Sequence, residues 1–477
     1  MLKKENRPYP IEFKNMFREY DIRGLVNETE LNDENVYRII KAYAIYLQKR
    51  KITRAVVGYD NRRCSPFFAE EAIRALRECG IDVVYVGLSL TPVVYFAQYF
   101  YKCEGAVMIT ASHNPNGWSG FKHAKGYSQT LETDDIIEVY NNLDKKPAKA
   151  KRLGRLDIQN VRDAYIEYVV SKMKMGKRKI KVVSETANGG AGLFINDILQ
   201  KLGCEVFQLN AEPNIDYPNY FPNPSDIDSR ANMIKMVKHP YVKADIGVFL
   251  DGDGDRIGVV DENGNNIWSD IILAVLARQL LQKKKGAKII YDVKCSKALE
   301  EVIVKYGGTP IMCKTGHSYV KAKMHELKAA LAGERSGHIF VGGDEYFGYD
   351  DASFVTAKLV EYLSNSNETL SEIISGFPKY VTSPEIHTKC ADEVKYQVVD
   401  KLINEFKTLY PNKVCDINGA RVDFGDGWGL VRASSNLPCL VLIFEAKTAK
   451  RLKEIRKIFR DVLDKYPEID KDWENDI

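Results

Sequence analysis

Three aspartates alternating with two glycines, Asp251-Gly252-Asp253-Gly254-Asp255, follow directly on the apolar run Ile246-Gly247-Val248-Phe249-Leu250. The pattern reads as a strand that ends in a metal-binding turn. Oxygen ligands at this density suit a hard divalent ion such as Mg²⁺, which keeps places for water and for a phosphate. Two other readings compete. One is a plain solvated acidic turn. The other is an EF-hand, since Asp251, Asp253, Asp255 and Glu262 have the spacing of loop positions 1, 3, 5 and 12. Arg256 stands where that loop demands glycine, and the flanks 246–250 and 257–260 are strand-like, so the EF-hand fails.

The phosphate's carrier lies earlier. The apolar run Gly105-Ala-Val-Met-Ile-Thr110 leads into Ala111-Ser112-His113-Asn114-Pro115-Asn116-Gly117. A residue before proline is pushed out of the helical region, so Asn114-Pro115 marks a turn and puts the Ser112 hydroxyl at the carboxyl end of a strand. That is where open α/β sheets bind ligands. An ordinary serine turn is the alternative. No Gly-x-Ser-x-Gly elbow surrounds Ser112, which speaks against a hydrolase triad.

The 477 residues are enough for three or four domains, each with its own core. Short β-branched runs alternate with amphipathic stretches, the pattern of α/β layers. Residues 55–59, 82–86 and 105–110 read as strands and 66–78 as a helix. The rhythm restarts at 179–183, before the glycine-rich turn Asn188-Gly-Gly-Ala-Gly192, and again at 288–293 after a helix over 271–281. After Pro378 the character changes to a strand over 384–389, a helix over 392–409, short strands through Phe444 and a charged helix over 448–463. The expected divisions are 1–155, 156–262, 263–377 and 378–477, with the basic stretch 145–152 as a surface linker near the end of the first.

A net charge of +4 over this length leaves no basic stripe for nucleic acid. Nine cysteines without paired spacing or a CxxC motif point to free thiols in a reducing compartment. No signal-type segment or membrane-length apolar run is present. The expectation is a cytoplasmic protein with neither nucleic acid nor membrane as partner.

Thr110-Ala-Ser-His-Asn-Pro115, Asp251-Gly-Asp-Gly-Asp-Arg256 and Gly333-Glu-Arg-Ser-Gly-His338 occur together with Tyr20-Asp-Ile-Arg-Gly24, Thr91-Pro92, Lys314-Thr-Gly-His317 and Arg432-Ala-Ser434. In this combination they resemble the α-D-phosphohexomutases, most closely the phosphomannomutase/phosphoglucomutase branch, over essentially the whole chain. The resemblance implies an α/β architecture of three related mixed-sheet domains followed by a smaller α+β domain like the TATA-box-binding fold. It also implies interconversion of hexose 6-phosphate and hexose 1-phosphate, of mannose, glucose or both, through a phosphoserine and a hexose 1,6-bisphosphate. Glucose 1,6-bisphosphate or mannose 1,6-bisphosphate would be intermediate and activator, phosphorylated hexoses the substrates, and the protein a monomer or weak dimer.

By the same resemblance Ser112 is the phosphorylated residue, and it joins Asp251, Asp253 and Asp255 as a ligand of Mg²⁺, which offsets charge on the transferring group. Lys122 is a cation beside that group and a participant in proton transfer, a role that needs a lowered pKa. Arg23, with Tyr20 nearby, completes a charged wall, His113 and His338 are further catalytic candidates, and Arg256 faces the substrate. Glu334 and Ser336 offer acceptors to sugar hydroxyls, and His317 is a second sugar contact. Arg432, Ser434 and Asn436 grip the phosphate that is not reacting, the arginine as a bidentate fork. Each has a bland counterpart when taken alone: a surface ion pair for Arg23, a surface turn for 333–338, a structural histidine for His317. Arg335 departs from the methionine common in that branch and in phosphoglucosamine mutases, and Ser435-Asn436-Leu437 departs from the usual sequence after the serine.

Three other functions draw on these residues: a phosphoglucosamine mutase, a phosphoserine phosphatase-type hydrolase that passes the phosphoryl group to water, and a non-catalytic sugar-phosphate sensor. Ser112, Lys122 and the three aspartates argue against the sensor, because binding alone needs no phosphorylatable serine.

Overall fold

A computed structural model describes residues 15–435 and 437–473. Local chemistry starts its elements. The helix Asp33–Lys49 opens on Asn32, whose side chain accepts from the Asn35 N–H, with Asp33 and Glu34 in the first turn and Lys49 in the last. Those charges complement the helix dipole. Thr448 likewise caps the helix Ala449–Leu463 by accepting from the Arg451 N–H.

Four sheets follow one another along the chain. The first runs Ile22–Leu25, Trp118–Gly126, Gly105–Ile109, Arg54–Tyr59, Asp82–Leu88 and Leu156–Ile158, with Gln129–Thr130 added beside Trp118–Gly126. The second runs Asn266–Ile267, Ile257–Asp261, Ile246–Leu250, Lys181–Glu185 and Glu205–Leu209; the third, Thr309–Cys313, Lys288–Asp292, Leu331–Gly333 and Ile339–Val341. All three mix parallel and antiparallel pairs. The fourth is antiparallel: Val381–Thr382, Cys439–Ala446, Gly427–Ala433, Ala420–Asp423 and Val414–Cys415, with Ile386–Lys389 also on Cys439–Ala446. The helices Lys395–Leu409 and Ala449–Leu463 pack over it, Phe406 and Phe459 with ring centroids 4.5 Å apart. Gly429 makes room for them, since a Cβ there would lie 2.3 Å from the Phe459 ring.

Two expected boundaries move. Leu156–Ile158 lies parallel to Asp82–Leu88, so the first sheet closes beyond 155 and the irregular stretch 145–152 lies inside that unit. Asn266–Ile267 pairs with Ile257–Asp261, which carries the second sheet past 262. The final long helices begin at Lys395 and Ala449, the former three residues later than the sequence suggests.

The strands Gly105–Ile109, Ile246–Leu250 and Leu331–Gly333 are buried along their whole length. Burial on both faces is why they read as unbroken apolar runs. Their carboxyl ends deliver Ser112, Asp251 and Glu334. Arg23 comes to the same place through the pairing of Ile22–Leu25 with Trp118–Gly126, where Arg23 lies opposite Gly120. A Cβ on Gly120 would stand 2.2 Å from the Ile22 carbonyl oxygen.

Gly120→Ala should therefore cost about 1–3 kcal/mol by overpacking and lower the denaturant midpoint. Gly126→Ala in the same strand meets only the side chain of Gln129, at 3.2 Å or more, and serves as control. Equal midpoints for the two variants would refute the close-approach argument.

Asp351 gives a pH-dependent prediction. It caps the helix Ala352–Ser364 by accepting from the Phe354 N–H at 2.9 Å, and it also accepts from Tyr165 at 2.9 Å and Tyr346 at 2.7 Å. Burial pushes its carboxyl up to about 6 against these donors. The folded chain then holds this proton more tightly than the unfolded chain, so the contribution to stability is lost as pH rises from about 4 to about 6. Asp351→Asn should gain on the wild type as pH rises between about pH 4 and about pH 6. A stability difference that stays constant over that range in denaturant melts would exclude it.

Candidate active site

Ser112 adopts a left-handed backbone, φ 51°, and is 1 % exposed. Its N–H donates to Thr110 Oγ1 at 2.8 Å, and its hydroxyl donates to Asp251 Oδ2 at 2.8 Å. His113 Nδ1 stands 3.2 Å from the same hydroxyl. Arg62, absent from the sequence-based candidates, holds the loop: its guanidinium donates to the carbonyls of Ser112 at 2.8 Å, Asn114 at 2.6 Å, Pro115 at 3.0 Å and Trp118 at 3.3 Å. Asp60 pairs with Arg62 at 3.1 Å and neutralises it.

The aspartate loop closes over this serine. Asp251, Asp253 and Asp255 are fully buried, and one ligand oxygen from each can be chosen so that all lie within 4.8 Å of one another. Asp251 Oδ1 accepts from the N–H groups of Asp255 at 3.0 Å and Arg256 at 3.1 Å. Asp253 Oδ2 accepts from Thr91 Oγ1 at 2.6 Å and Lys122 Nζ at 2.7 Å, and Lys122 also bonds Asp255 Oδ2. Asp253 Oδ1 and Asp255 Oδ1 remain buried without a hydrogen-bond partner. Orphaned carboxylate oxygens in an all-oxygen cluster fit a hard divalent cation. Asp255, His338 and Asp350 form a second close group, but its imidazole suits Mg²⁺ less well.

The charges show what the cluster costs. Burial, then the charges of Asp255 and Asp253, raise Asp251 well above the usual carboxylate range. Burial and Asp255 also oppose ionisation of Asp253, yet Lys122 and Thr91 hold it below its ordinary value. Burial alone would lower Lys122; Asp253 and Asp255 outweigh it and raise the ammonium above its ordinary value. Beside these two carboxylates Lys122 is raised, the opposite direction from the one that proton transfer by this lysine needs.

Arg23 donates to Asp21 at 2.7 Å, Asn114 Oδ1 at 2.7 Å and the Ala111 carbonyl at 3.3 Å, which sets it against the serine loop. Burial and the positive charges of Arg256 and Arg23 keep His113 well below its ordinary value, hence neutral. Arg256 Nε donates to His338 Nε2 at 2.9 Å, and His338 Nδ1 lies 2.8 Å from Asp350. Behind Asp350, buried Lys321 sits 3.3 Å away and bonds Tyr95 at 3.1 Å. The rings of His317 and His338 are 5.5 Å apart, and Tyr20 meets His317 edge-on at 4.9 Å. Glu334 accepts from the Gly316 N–H at 2.6 Å, and burial raises its carboxyl. Ser336 is half-buried on the same loop. Arg335 turns away from this group, donating to Asp270 at 3.1 Å and lying 4.6 Å over the Trp268 ring.

In the fourth unit Arg432 is 5 % exposed and donates to Ser435 Oγ at 3.2 Å, while its Nε has no partner among the described residues. Ser434 Oγ accepts from the Leu437 N–H at 3.2 Å, and Lys395 Nζ ties the loop by donating to the carbonyls of Ser434 at 2.6 Å and Leu437 at 2.9 Å. Asn436 lies outside the described residues.

Four models of phosphoglucomutase/phosphomannomutase match the chain in order: alpha/beta/alpha domain I over residues 14–150, domain II over 163–264, domain III over 268–380 and the C-terminal domain over 385–462. The chain belongs to the phosphoglucomutase/phosphomannomutase family. A phosphomannomutase/phosphoglucomutase of Pseudomonas putida is 37% identical over 448 residues, covering 94% of this chain and 95% of that protein. A phosphoglucomutase of Neisseria gonorrhoeae is 36% identical over 459 residues, covering 96% and 98%. Among solved structures, a family member from Burkholderia thailandensis has TM-score 0.87 at 34% identity, covering 95% of this chain and 97% of that one. An N-acetylphosphoglucosamine mutase of Aspergillus fumigatus, solved with GlcNAc-6P and magnesium, shares the fold at TM-score 0.61 and 13% identity, covering 96% and 99%.

Within this family member, sequence reasoning missed Arg62, Asp350, Lys321 and Lys294. Lys294 is 6 % exposed just past the strand Lys288–Asp292 and pairs with Glu385 at 3.1 Å. Its place after a strand in Asp292-Val-Lys294 was a usable signal; the other three depend on distant partners.

Asp253→Asn removes one anionic oxygen from the loop and weakens the hold on Lys122. It should lower both turnover and Mg²⁺ affinity by more than about a hundredfold. Mg²⁺ binding near the wild-type level in calorimetry would refute the ligand assignment.

Proposed function

We propose that this chain is a phosphohexomutase that interconverts hexose 6-phosphate and hexose 1-phosphate, with mannose and glucose phosphates as substrates. The observation that carries this reading is Ser112 Oγ, 2.8 Å from Asp251 and buried against the loop of three aspartates. Phosphorylated, Ser112 is the donor. The oxygen of a sugar hydroxyl bonds phosphorus as the bond from phosphorus to Ser112 Oγ breaks, and the hydroxyl's proton ends on the freed Ser112 oxygen. The product is a hexose 1,6-bisphosphate. Turned end for end, it returns its other phosphoryl group to Ser112, and the isomerised monophosphate leaves.

Asp251, Asp253 and Asp255 would hold Mg²⁺ together with the phosphoserine. When bound, the ion offsets charge on the transferring phosphoryl group. Lys122 and Arg23 add fixed positive charge on the same side, in surroundings dry enough for it to act strongly. Glu334, Ser336 and His317 border the place for the sugar, and Arg256 links it to His338. Arg432 and the Ser434 loop would take the phosphate at the far end, in either orientation of the intermediate.

The names of the Pseudomonas and Neisseria relatives support mannose and glucose phosphates. So does the position of Arg335: held by Asp270 and Trp268, it leaves C2 without a dedicated polar partner from this residue. A site that bonded the C2 hydroxyl would discriminate the two sugars strongly. Burial of Ser112 favours transfer to a bound sugar over transfer to water.

Ser112→Ala should abolish mutase turnover while leaving the fold and sugar-phosphate binding in place, and intact mass should show one phosphate on the active wild type. Coupled assays should find isomerised sugar in large excess over free phosphate. Near-normal turnover of the alanine variant at saturating bisphosphate would end this reading, and free phosphate as the main product would replace it with the phosphatase.

A further inference from the structure

Behind the loop of Glu334 and Ser336 lie two buried carboxylates that stand apart from the three acids of the metal loop. Asp292 ends the strand Lys288–Asp292, and Asp270 stands in the first turn of the helix Ser269–Lys283. Each oxygen of Asp292 serves a different loop. Its Oδ2 accepts from the Thr315 hydroxyl at 2.9 Å, and its Oδ1 accepts from the Arg335 N–H at 3.3 Å. Glu334 closes the ring, because it accepts in turn from the N–H of Gly316. The segment that leads to His317 and the segment that carries Glu334 and Ser336 are thus tied at two points. Asp270 holds the second segment by its side chain: Oδ2 accepts from Arg335 Nη1 at 3.1 Å and from the Ser296 N–H at 2.8 Å. The Arg335 side chain lies over the Trp268 ring and is 7% exposed.

A buried ion pair is a poor source of stability, since desolvating two charges offsets most of their attraction. Its best-attested use is to fix one arrangement among several. The arrangement at stake here is that of the residues bordering the sugar. Arg335 sits between two of them in sequence, yet its guanidinium turns from them to Asp270, and its N–H goes to Asp292.

We propose that Arg335 is a positioning residue, pinned on a brace of Asp270 and Asp292, that holds Glu334 and Ser336 at a fixed spacing from His317 for a hexose ring. The proposal rests on the reading of those three residues as the border of the sugar. Hydrogen bonds to hydroxyls are short and directional, and the bisphosphate must meet the same groups in either orientation. With the loop pinned at Arg335, their spacing is set before the substrate arrives, and binding does not have to order the loop. A loop without the pin would have to be ordered by the sugar itself. That weakens the hold on the sugar and leaves the grip on phosphate and the reacting centre as they are.

The test compares the wild type, Arg335→Met, Arg335→Lys and the double variant Arg335→Met/Asp270→Asn, each with a thermal melt. Steady-state kinetics are run with glucose 1-phosphate and mannose 1-phosphate. Calorimetric titrations of glucose 1-phosphate and of inorganic phosphate are run in the Ser112→Ala background, where nothing turns over. Arg335→Met should raise KM for both sugars and weaken glucose 1-phosphate by about tenfold, the low end for losing a partner that orients a binding group. Its kcat should stay within about threefold of the wild type, the pattern of lost uniform binding. Inorganic phosphate has no sugar hydroxyls and should bind as it does to the wild type. The double variant removes both buried charges and keeps an acceptor for the Ser296 N–H, so it should fold even where Arg335→Met does not. Its loss should match that of Arg335→Met, because both changes break one link. Arg335→Lys keeps the charge without the fork and should fall between. A merely structural Arg335 would lower the melting temperature and leave the ratio of the two affinities unchanged. Wild-type affinity for glucose 1-phosphate in the folded double variant, or an equal loss for inorganic phosphate, overturns the proposal. A wild type that binds sugar phosphate without isomerising it overturns the mutase reading instead, and the ratio of affinities still decides the role of Arg335.

Discussion

Three carboxylates buried within five residues of each other set the terms for the rest of the molecule. Ionised carboxylates in a dry interior are tolerated only when paired or bound to metal. Every neighbour of the loop answers that demand. The backbone N–H groups of Asp255 and Arg256 turn toward Asp251, Thr91 offers its hydroxyl, and Lys122 crosses from another sheet to bond two of the acids. Gly254, at φ 74°, allows the turn, while Gly252 lets the loop approach Ser112, whose carbonyl oxygen would stand 2.9 Å from a Cβ there. The first and second units are thus joined by polar contacts between these loops as well as by apolar packing.

The serine side of the contact carries its own cost. A non-glycine residue in the left-handed region is strained by about 1–2 kcal/mol. Arg62 offsets this by gathering four carbonyls of the loop around one neutralised guanidinium. The reactive hydroxyl is thus carried by a backbone with little freedom to relax, which suits a group that must meet a sugar oxygen at a fixed distance.

The parts legible in the sequence are those whose logic is local. The aspartate loop, the serine turn and the loop of Glu334 to His338 each fit in a few residues after an apolar strand, so chemistry and secondary structure could be read together. Ser112, Asp251, Asp253, Asp255, Lys122 and Arg23 do come together. Less was visible where the decisive partner is far along the chain. Nothing near Arg62 announces four carbonyls, and the carboxylates that raise Lys122 stand in another unit. The strand Leu156–Ile158 escaped because all three residues are exposed and carry no buried alternation. Arg335 sits in a sugar-binding motif by sequence, but Asp270 and Trp268 turn it elsewhere.

The distribution of the site over four sheets also has a meaning in time. During synthesis the serine loop and its Arg62 brace emerge first, the acidic loop next, and Arg432 only near the end. Each sheet has strands enough to fold as it appears, yet the acids would lie against Lys122 and the serine long before any far-end anchor exists. A nascent chain would then hold a nearly complete reacting centre with nothing to retain the other end of a sugar phosphate. With Arg432 as the proposed far-end anchor, turnover would begin only when the antiparallel unit docks, so the last quarter of the chain would decide when the first becomes useful.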